Sequence, residues 1–131
     1  MARVLGVGGV FFKATNPAEL GAWYEKWLGL PIDASYGGAS FGPDAMPPGG
    51  LTVWSPFKAD TEYFKPSDQA FMFNLVVDDL DAALEQVREG GAEVMPDRMD
   101  ESYGRFGWFV DPEGNKVELW QPKVAEEAPA E

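Results

Sequence analysis

A chain of 131 residues with 45% hydrophobic content has enough apolar surface for one core, built as a single domain or as two closely joined small modules. Ten basic against 22 acidic residues give a formal net charge of -12, so a phosphate backbone meets no concentrated positive surface and no nucleic acid partner is expected. Cysteine and histidine are both absent, which removes disulfides, thiolate chemistry, His-based triads, the usual zinc sites and the commonest general base at neutral pH.

No stretch approaches the roughly 18–20 apolar residues of a membrane span, and the start of the chain carries no apolar run with a cleavage pattern. No membrane association and a cytoplasmic location are therefore expected. Residues 4–14, VLGVGGVFFKA, form the first predicted strand, with Gly9, Phe11 and Lys13 on one face and Val10, Phe12 and Ala14 on the other. Asn16-Pro17-Ala18-Glu19 then reads as a helix start: Asn16 caps, Pro17 suits the first helical position, and Glu19 stands where a capping box places its carboxylate. Leu20, Trp23, Tyr24 and Trp27 make the apolar face of that helix, which ends at Leu28-Gly29.

The Gly and Pro density of residues 30–50 predicts short strands or loops around residues 35–41 and an excursion over residues 42–50. Residues 51–54, LTVW, are a short strand with Thr52 and Trp54 on one face. Residues 55–69 read as a connector, although Phe57, Tyr63 and Phe64 require something to pack on. Residues 70–77 are a strand with Met72, Asn74 and Val76 on one face. Asp78 or Asp79 caps a second helix whose stripe is Leu80, Ala83, Leu84 and Val87, stopped by Gly90-Gly91. Residues 92–95 are a short strand and residues 96–104 a polar loop.

Residues 105–122, RFGWFVDPEGNKVELWQP, are the best-punctuated stretch. Residues 106–110 and 116–120 are strands joined through Asp111-Pro112-Glu113-Gly114-Asn115, where Pro112 sets a turn and Gly114 supplies a positive φ. The second strand puts Lys116, Glu118 and Trp120 on one face and Val117 and Leu119 on the other. A carboxylate in mid-strand has to be solvated, paired or used, so Glu118 poses the functional question. The acidic tail, residues 123–131, has too little apolar surface to offset its ordering entropy and is expected to be disordered.

The two halves repeat. Asn16 corresponds to Asp79, Gly29 to Gly90 or Gly91, and residues 51–54 to residues 117–120, at offsets of 61 to 66 residues. The expected fold is α+β: two βαβββ modules, residues 4–56 and 70–122, joined by residues 57–69, whose sheets form a curved, partly closed mixed surface with helices outside.

Through WYEKWLG at residues 23–29, VVDDLDAALEQVREGG at residues 76–91 and FVDPEGNKVELWQP at residues 109–122, the sequence resembles the vicinal oxygen chelate superfamily. That superfamily contains glyoxalase I, extradiol dioxygenases, and fosfomycin- and bleomycin-resistance proteins. The resemblance implies a cup that in family enzymes holds one divalent metal, with ligand positions falling here on Gly9, Thr52, Met72 and Glu118; a register slip of two brings Phe11 or Asn74 instead. Glycine offers no donor, a thioether suits hard ions poorly and a neutral threonine is weak, so no metal and no cofactor are expected.

If Glu118 faces the cup, it is accompanied by Lys116, Trp120, Thr52, Trp54, Phe11, Lys13, Met72 and Asn74, an aromatic wall with a few polar anchors. Core filling and a dimer seam use the same residues equally well. Glu118 is a candidate general base or acid, a ligand acceptor, or one partner of an ion pair with Lys13 or Arg105. Lys13 is a candidate anchor for an anionic or carbonyl oxygen. Tyr103 and Arg105, on a loop before the hairpin, are candidates for a lid or clamp. Three functions compete: a metal-free binder of a small hydrophobic or aromatic molecule, like the bleomycin-resistance branch; a metal-independent isomerase, epimerase or lyase using Glu118, Lys13 and Tyr103; and a non-catalytic structural or interaction module. A homodimer is expected in each.

Overall fold

The computed structural model describes residues 1–3 and 5–124, so Val4 and the tail from residue 125 onward lie outside the described residues. Helix α1 runs over Pro17–Leu28 and helix α2 over Leu80–Glu89. Strands β1 (Ile32–Asp33) and β2 (Gly38–Ala39) make a minimal hairpin, and β3 (Phe73–Val76), β4 (Glu93–Glu101), β5 (Gly104–Val110) and β6 (Lys116–Pro122) make a four-stranded sheet in the order β3-β6-β5-β4. β3 is parallel to β6, and the other pairs are antiparallel. The fold is α+β, with a mixed sheet that does not close into a barrel.

Both helices begin and end where their caps dictate. The Glu19 backbone N–H donates to Asn16 Oδ1 at 3.1 Å, and the Ala82 N–H donates to Asp79 Oδ1 at 3.0 Å. Gly29 closes α1 at φ 66°, a conformation that costs a residue with a Cβ. Glu19 departs from the capping-box expectation in one respect: its carboxylate accepts from the Asn16 side-chain amide. The Asn16 backbone N–H instead donates to Glu113 at 2.8 Å, and the Thr15 N–H donates to the same carboxylate at 3.0 Å. The hairpin turn of the second half thus completes the cap of the first helix.

One face of the sheet carries Phe109, Val117 and Leu119 and packs on Leu80, Ala83, Leu84 and Val87 of α2 and on Leu20 and Tyr24 of α1. Alternation along β5 and β6 assigns these residues to one side and Phe106, Trp108, Glu118 and Trp120 to the other. The turn between these strands anchors α1. Asp111, buried at 4% exposure, accepts from Tyr24 Oη at 2.8 Å, from Asn115 Nδ2 at 3.0 Å, and from the backbone N–H groups of Glu113 and Asn115 at 2.9 Å each.

Burial, then the Asp111 charge and the hydrogen bond to it, push the Tyr24 hydroxyl far above its ordinary pKa of 10.0. Its contribution to stability is therefore complete below about pH 10. As pH rises past that value the unfolded chain releases a proton that the folded chain keeps, and stability falls by about 1.4 kcal/mol per pH unit. Chemical denaturation at pH 9 and pH 11.5 is expected to show this loss in the wild type and a clearly smaller one in Tyr24→Phe; equal losses in the two proteins would remove Tyr24 as its source.

Two sequence expectations are corrected. The predicted strands at residues 4–14 and 51–54 are not hydrogen-bonded strands among the described residues, and Leu5, Val10, Phe11, Leu51, Val53 and Trp54 are exposed. Apolar alternation makes a strand only where a neighbouring edge pairs its backbone. Here Gly6, Gly8 and Gly9 contribute no packing, and docking is limited to Phe12, edge-on against Phe73 with ring centroids 4.5 Å apart, and Ala14, which packs against the core. Conversely, the predicted polar loop at residues 96–104 is mostly strand β4. Its irregular register between Val94 and Arg98 accommodates Pro96 on the sheet edge, where a missing N–H is tolerated.

Candidate functional site

The second face of the sheet is aromatic and sulfur-rich. Phe106, Trp108 and Trp120 are buried, with Met72, Val76, Met95 and Met99 against them. Phe106 and Trp120 lie across β5 and β6 from each other, their rings 6° from parallel at 5.9 Å, and Trp120 Nε1 donates to the Tyr103 carbonyl at 3.1 Å. The Tyr103–Trp120 contact leaves no room for a side chain at Gly104, where a Cβ would fall 2.1 Å from Trp120 Nε1.

Glu118, 9% exposed, is the carboxylate at the centre of this face. Three donors from three parts of the chain converge on it: Asn74 Nδ2 of β3 reaches Oε1 at 2.6 Å, Trp108 Nε1 of β5 reaches Oε2 at 3.0 Å, and the Tyr63 hydroxyl of the connector reaches Oε2 at 2.7 Å. The register explains two of them, since Asn74 and Trp108 are the cross-strand partners of Glu118 on its two sides. A carboxylate so placed is solvated by protein donors in place of water.

Lys116, two residues along the same face, donates to the Tyr63 carbonyl at 2.6 Å. Its ammonium lies 5.2 Å from the Tyr63 ring centroid and 5.7 Å from that of Trp108. Burial pushes the Lys116 pKa down, and the charges of Glu118 and Asp97 partly offset this. The Tyr63 hydroxyl is pushed above the usual phenol value, first by burial and then by its hydrogen bond to Glu118 and that residue's charge.

The structure distributes the sequence candidates unevenly. Glu118, Asn74, Trp120 and Met72 share the aromatic face. Phe11, Lys13, Thr52 and Trp54 do not join them: all four are exposed, Phe11 at 95% and Trp54 at 79%, on segments that lack a strand partner. Trp54 and Gly9 instead border a shallow groove of about 360 Å³ with Val7, Val10, Val53 and Pro56. A second groove, about 440 Å³, runs outside α1 along Trp23, Lys26 and Trp27 to Pro112. Glu118 lines neither groove.

The expected ion pair of Glu118 with Lys13 or Arg105 is corrected by the donor set above. Arg105 pairs with Asp81 at 3.0 Å, drawn there by the first turn of α2. Only Ser102 and Tyr103, a tight turn, separate β4 from β5 where the sequence makes Tyr103 and Arg105 candidates for a lid or clamp. Tyr103 is half-exposed, its ring edge-on to Phe106 at 5.7 Å.

Sequence reasoning missed Tyr63 and Trp108 as neighbours of Glu118. Trp108 was within reach of it: pairing the two hairpin strands outward from the turn puts Trp108 opposite Glu118. Tyr63 lies 55 residues from Glu118, and nothing local points it there.

The residues do not fit the divalent ion that the family resemblance implies. Gly9 has no side-chain donor, Thr52 is a neutral hydroxyl on an exposed segment, Met72 packs in the apolar cluster, and both Glu118 oxygens already accept hydrogen bonds. Among the described residues, no three His, Cys, Asp or Glu side chains group as a metal site.

The sequence matches the glyoxalase-like domain family over residues 9–120. No protein of curated function matches. Among solved structures, the chain is similar to the antibiotic-binding protein TnmS3 from Streptomyces sp. CB03234, with 23% identity over 84% of this chain and 89% of that one and a TM-score of 0.50. It is also similar to a glyoxalase/bleomycin resistance protein/dioxygenase superfamily member from Sphaerobacter thermophilus, with 28% identity and a TM-score of 0.34, the match spanning 37% of this chain and 40% of that one. A glyoxalase/bleomycin resistance protein from Catenulispora acidiphila aligns with 20% identity over 81% of this chain and 87% of its own, at a TM-score of 0.36.

Proposed function

The chain belongs to the glyoxalase-like domain family, and from that premise we propose that it binds a small, flat, aromatic molecule on the Glu118 face of its sheet without a metal ion. The observation that carries this reading is the convergence of Asn74, Trp108 and Tyr63 on one buried carboxylate in a field of aromatic and methionine side chains. A few fixed polar groups within an apolar wall orient a small molecule, whereas a face serving only as core has no use for a desolvated charge. The family scaffold hosts both binders and enzymes, so the argument rests on the site.

The homodimer read from the sequence stays with this proposal. Among the described residues, Leu5, Val10, Phe11, Val53 and Trp54 stand uncovered and β3 has a free outer edge, so a second copy has apolar area to cover and backbone groups to pair.

The test is titration with naphthalene- and quinoline-based bicycles in the presence of EDTA, read by tryptophan fluorescence and by native mass spectrometry. Saturable binding of one molecule per chain is expected, unchanged by chelator and weakened about three- to tenfold in Asn74→Ala, the cost of one hydrogen bond. Mass spectra are expected to show the chain paired. Absence of saturable binding in the wild type and also in Tyr63→Ala would sink the site, and a monomer alone would remove the dimer.

A further inference from the structure

The space over Glu118 is filled by the chain itself. Tyr63 comes from residues 55–69, which contain neither strand nor helix, and the residue is 37% exposed. It is nonetheless held at every part: the hydroxyl donates to Glu118 at 2.7 Å, the ring stands edge-on to Trp108 with centroids 6.2 Å apart at 83°, and Lys116 binds its carbonyl while lying over the ring. Phe57 and Phe64 close in from the connector at 5.5 and 6.5 Å between ring centroids.

We propose that Tyr63 is an internal stand-in for the ligand, and that the site takes un-ionised phenols, flat aromatic molecules bearing a ring hydroxyl. This rests on the ligand-binding reading above and names the class of molecule. A phenol meets each requirement that the Tyr63 side chain meets. Its hydroxyl supplies the proton that a carboxylate oxygen, fixed by Asn74 and Trp108, accepts. Its ring edge meets Trp108, and its π-face meets the Lys116 ammonium.

Other classes fail on one count each. An aliphatic alcohol has no π-face for Lys116, an aromatic without a donor does not replace the hydrogen bond that Glu118 Oε2 loses when Tyr63 leaves, and a ligand carboxylate is repelled by Glu118. The upward push on the Tyr63 hydroxyl follows the same logic, since the seat favours the neutral donor over the phenolate.

An internal stand-in masks its own site. The apparent affinity for a free phenol falls by the fraction of molecules in which Tyr63 has swung out. Emptying the seat therefore tightens every molecule that uses it by the same factor, and the matching class is marked by its greater affinity for the emptied seat.

The experiment compares 2-naphthol with 2-methoxynaphthalene, which keeps the rings but cannot donate, on wild type, Tyr63→Ala and Tyr63→Phe at neutral pH. Both probes are expected to tighten by the same factor, about tenfold or more in Tyr63→Ala and about threefold in Tyr63→Phe, whose ring still competes but has lost its bond to Glu118, while 2-naphthol is expected to bind Tyr63→Ala about tenfold more tightly than 2-methoxynaphthalene, which donates no bond to Glu118. Equal affinities of the two probes for Tyr63→Ala would overturn the phenol assignment and leave an aromatic site standing. Wild-type binding of 2-naphthol unchanged by either substitution would overturn the stand-in role. No binding of either probe to any of the three proteins would instead bring down the ligand-binding reading itself. Should Tyr63→Ala fail to fold, the Phe variant decides alone, and the absence of tightening there overturns the proposal.

Discussion

Asp111→Ala is expected to cost about 3–5 kcal/mol, the larger part of a small domain's margin, and to lower the melting temperature by roughly 10–20 °C. The carboxylate accepts four hydrogen bonds in a site from which water is excluded. Bonds to a charged acceptor are worth about 1.5–3 kcal/mol each, and their loss strands the Tyr24 hydroxyl and the Asn115 amide in the core. The substitution also frees the turn that carries Glu113, whose carboxylate caps α1 through Thr15 and Asn16. The network therefore ties the first helix to the last hairpin across 87 residues of sequence.

A double-mutant cycle separates this from simple loss of a turn. Tyr24→Phe is expected to be costly in the wild type and nearly neutral in the Asp111→Ala background, measured by chemical denaturation followed by circular dichroism. A melting temperature within about 3 °C of wild type for Asp111→Ala, or additive effects in the cycle, would show that the staple contributes little.

Glu118→Ala is the second large effect, and it separates the site from the scaffold. The Trp108 indole N–H is left buried without an acceptor and Tyr63 loses its tether, for an expected cost of about 2–4 kcal/mol. The loss is local in one respect: amide hydrogen exchange is expected to rise in residues 57–69 while α2 and its sheet face keep their protection. Affinity for an aromatic probe is expected to fall by a hundredfold or more, because the variant removes the acceptor and loosens the two donors that define the seat. Glu118→Gln keeps one acceptor oxygen but turns an amide toward a donor, and should fall between. Were Glu118→Ala to retain wild-type exchange in the connector, Tyr63 would not be held by Glu118; were it to retain affinity, the site would lie elsewhere.

The sequence by itself determined the helices, their caps and the final hairpin, because each is specified by residues within a few positions of one another. Asn16 and Asp79 start helices that Gly29 and Gly90 end, and Asp111 to Asn115 forms the turn its residues require. Alternation also assigned Val117 and Leu119 to one face and Glu118 and Trp120 to the other, since the period of two follows from strand geometry alone. These elements, through the motifs at residues 23–29, 76–91 and 109–122, carry the resemblance to the family.

Only the tertiary structure decided what each face meets. Residues 4–14 and 51–54 have the pattern of strands but find no edge to pair with among the described residues, while residues 96–101, polar and interrupted by Pro96, become strand because β5 lies beside them. The same holds for Asp111 and Glu118. Both are carboxylates in or beside β-structure near the end of the chain, yet one fastens Tyr24 in the core and the other fastens Tyr63 over a candidate site. No local rule tells them apart, because a buried carboxylate's role is set by which donors reach it, and those donors arrive from 55 and 87 residues away through the order of strands and the path of the connector.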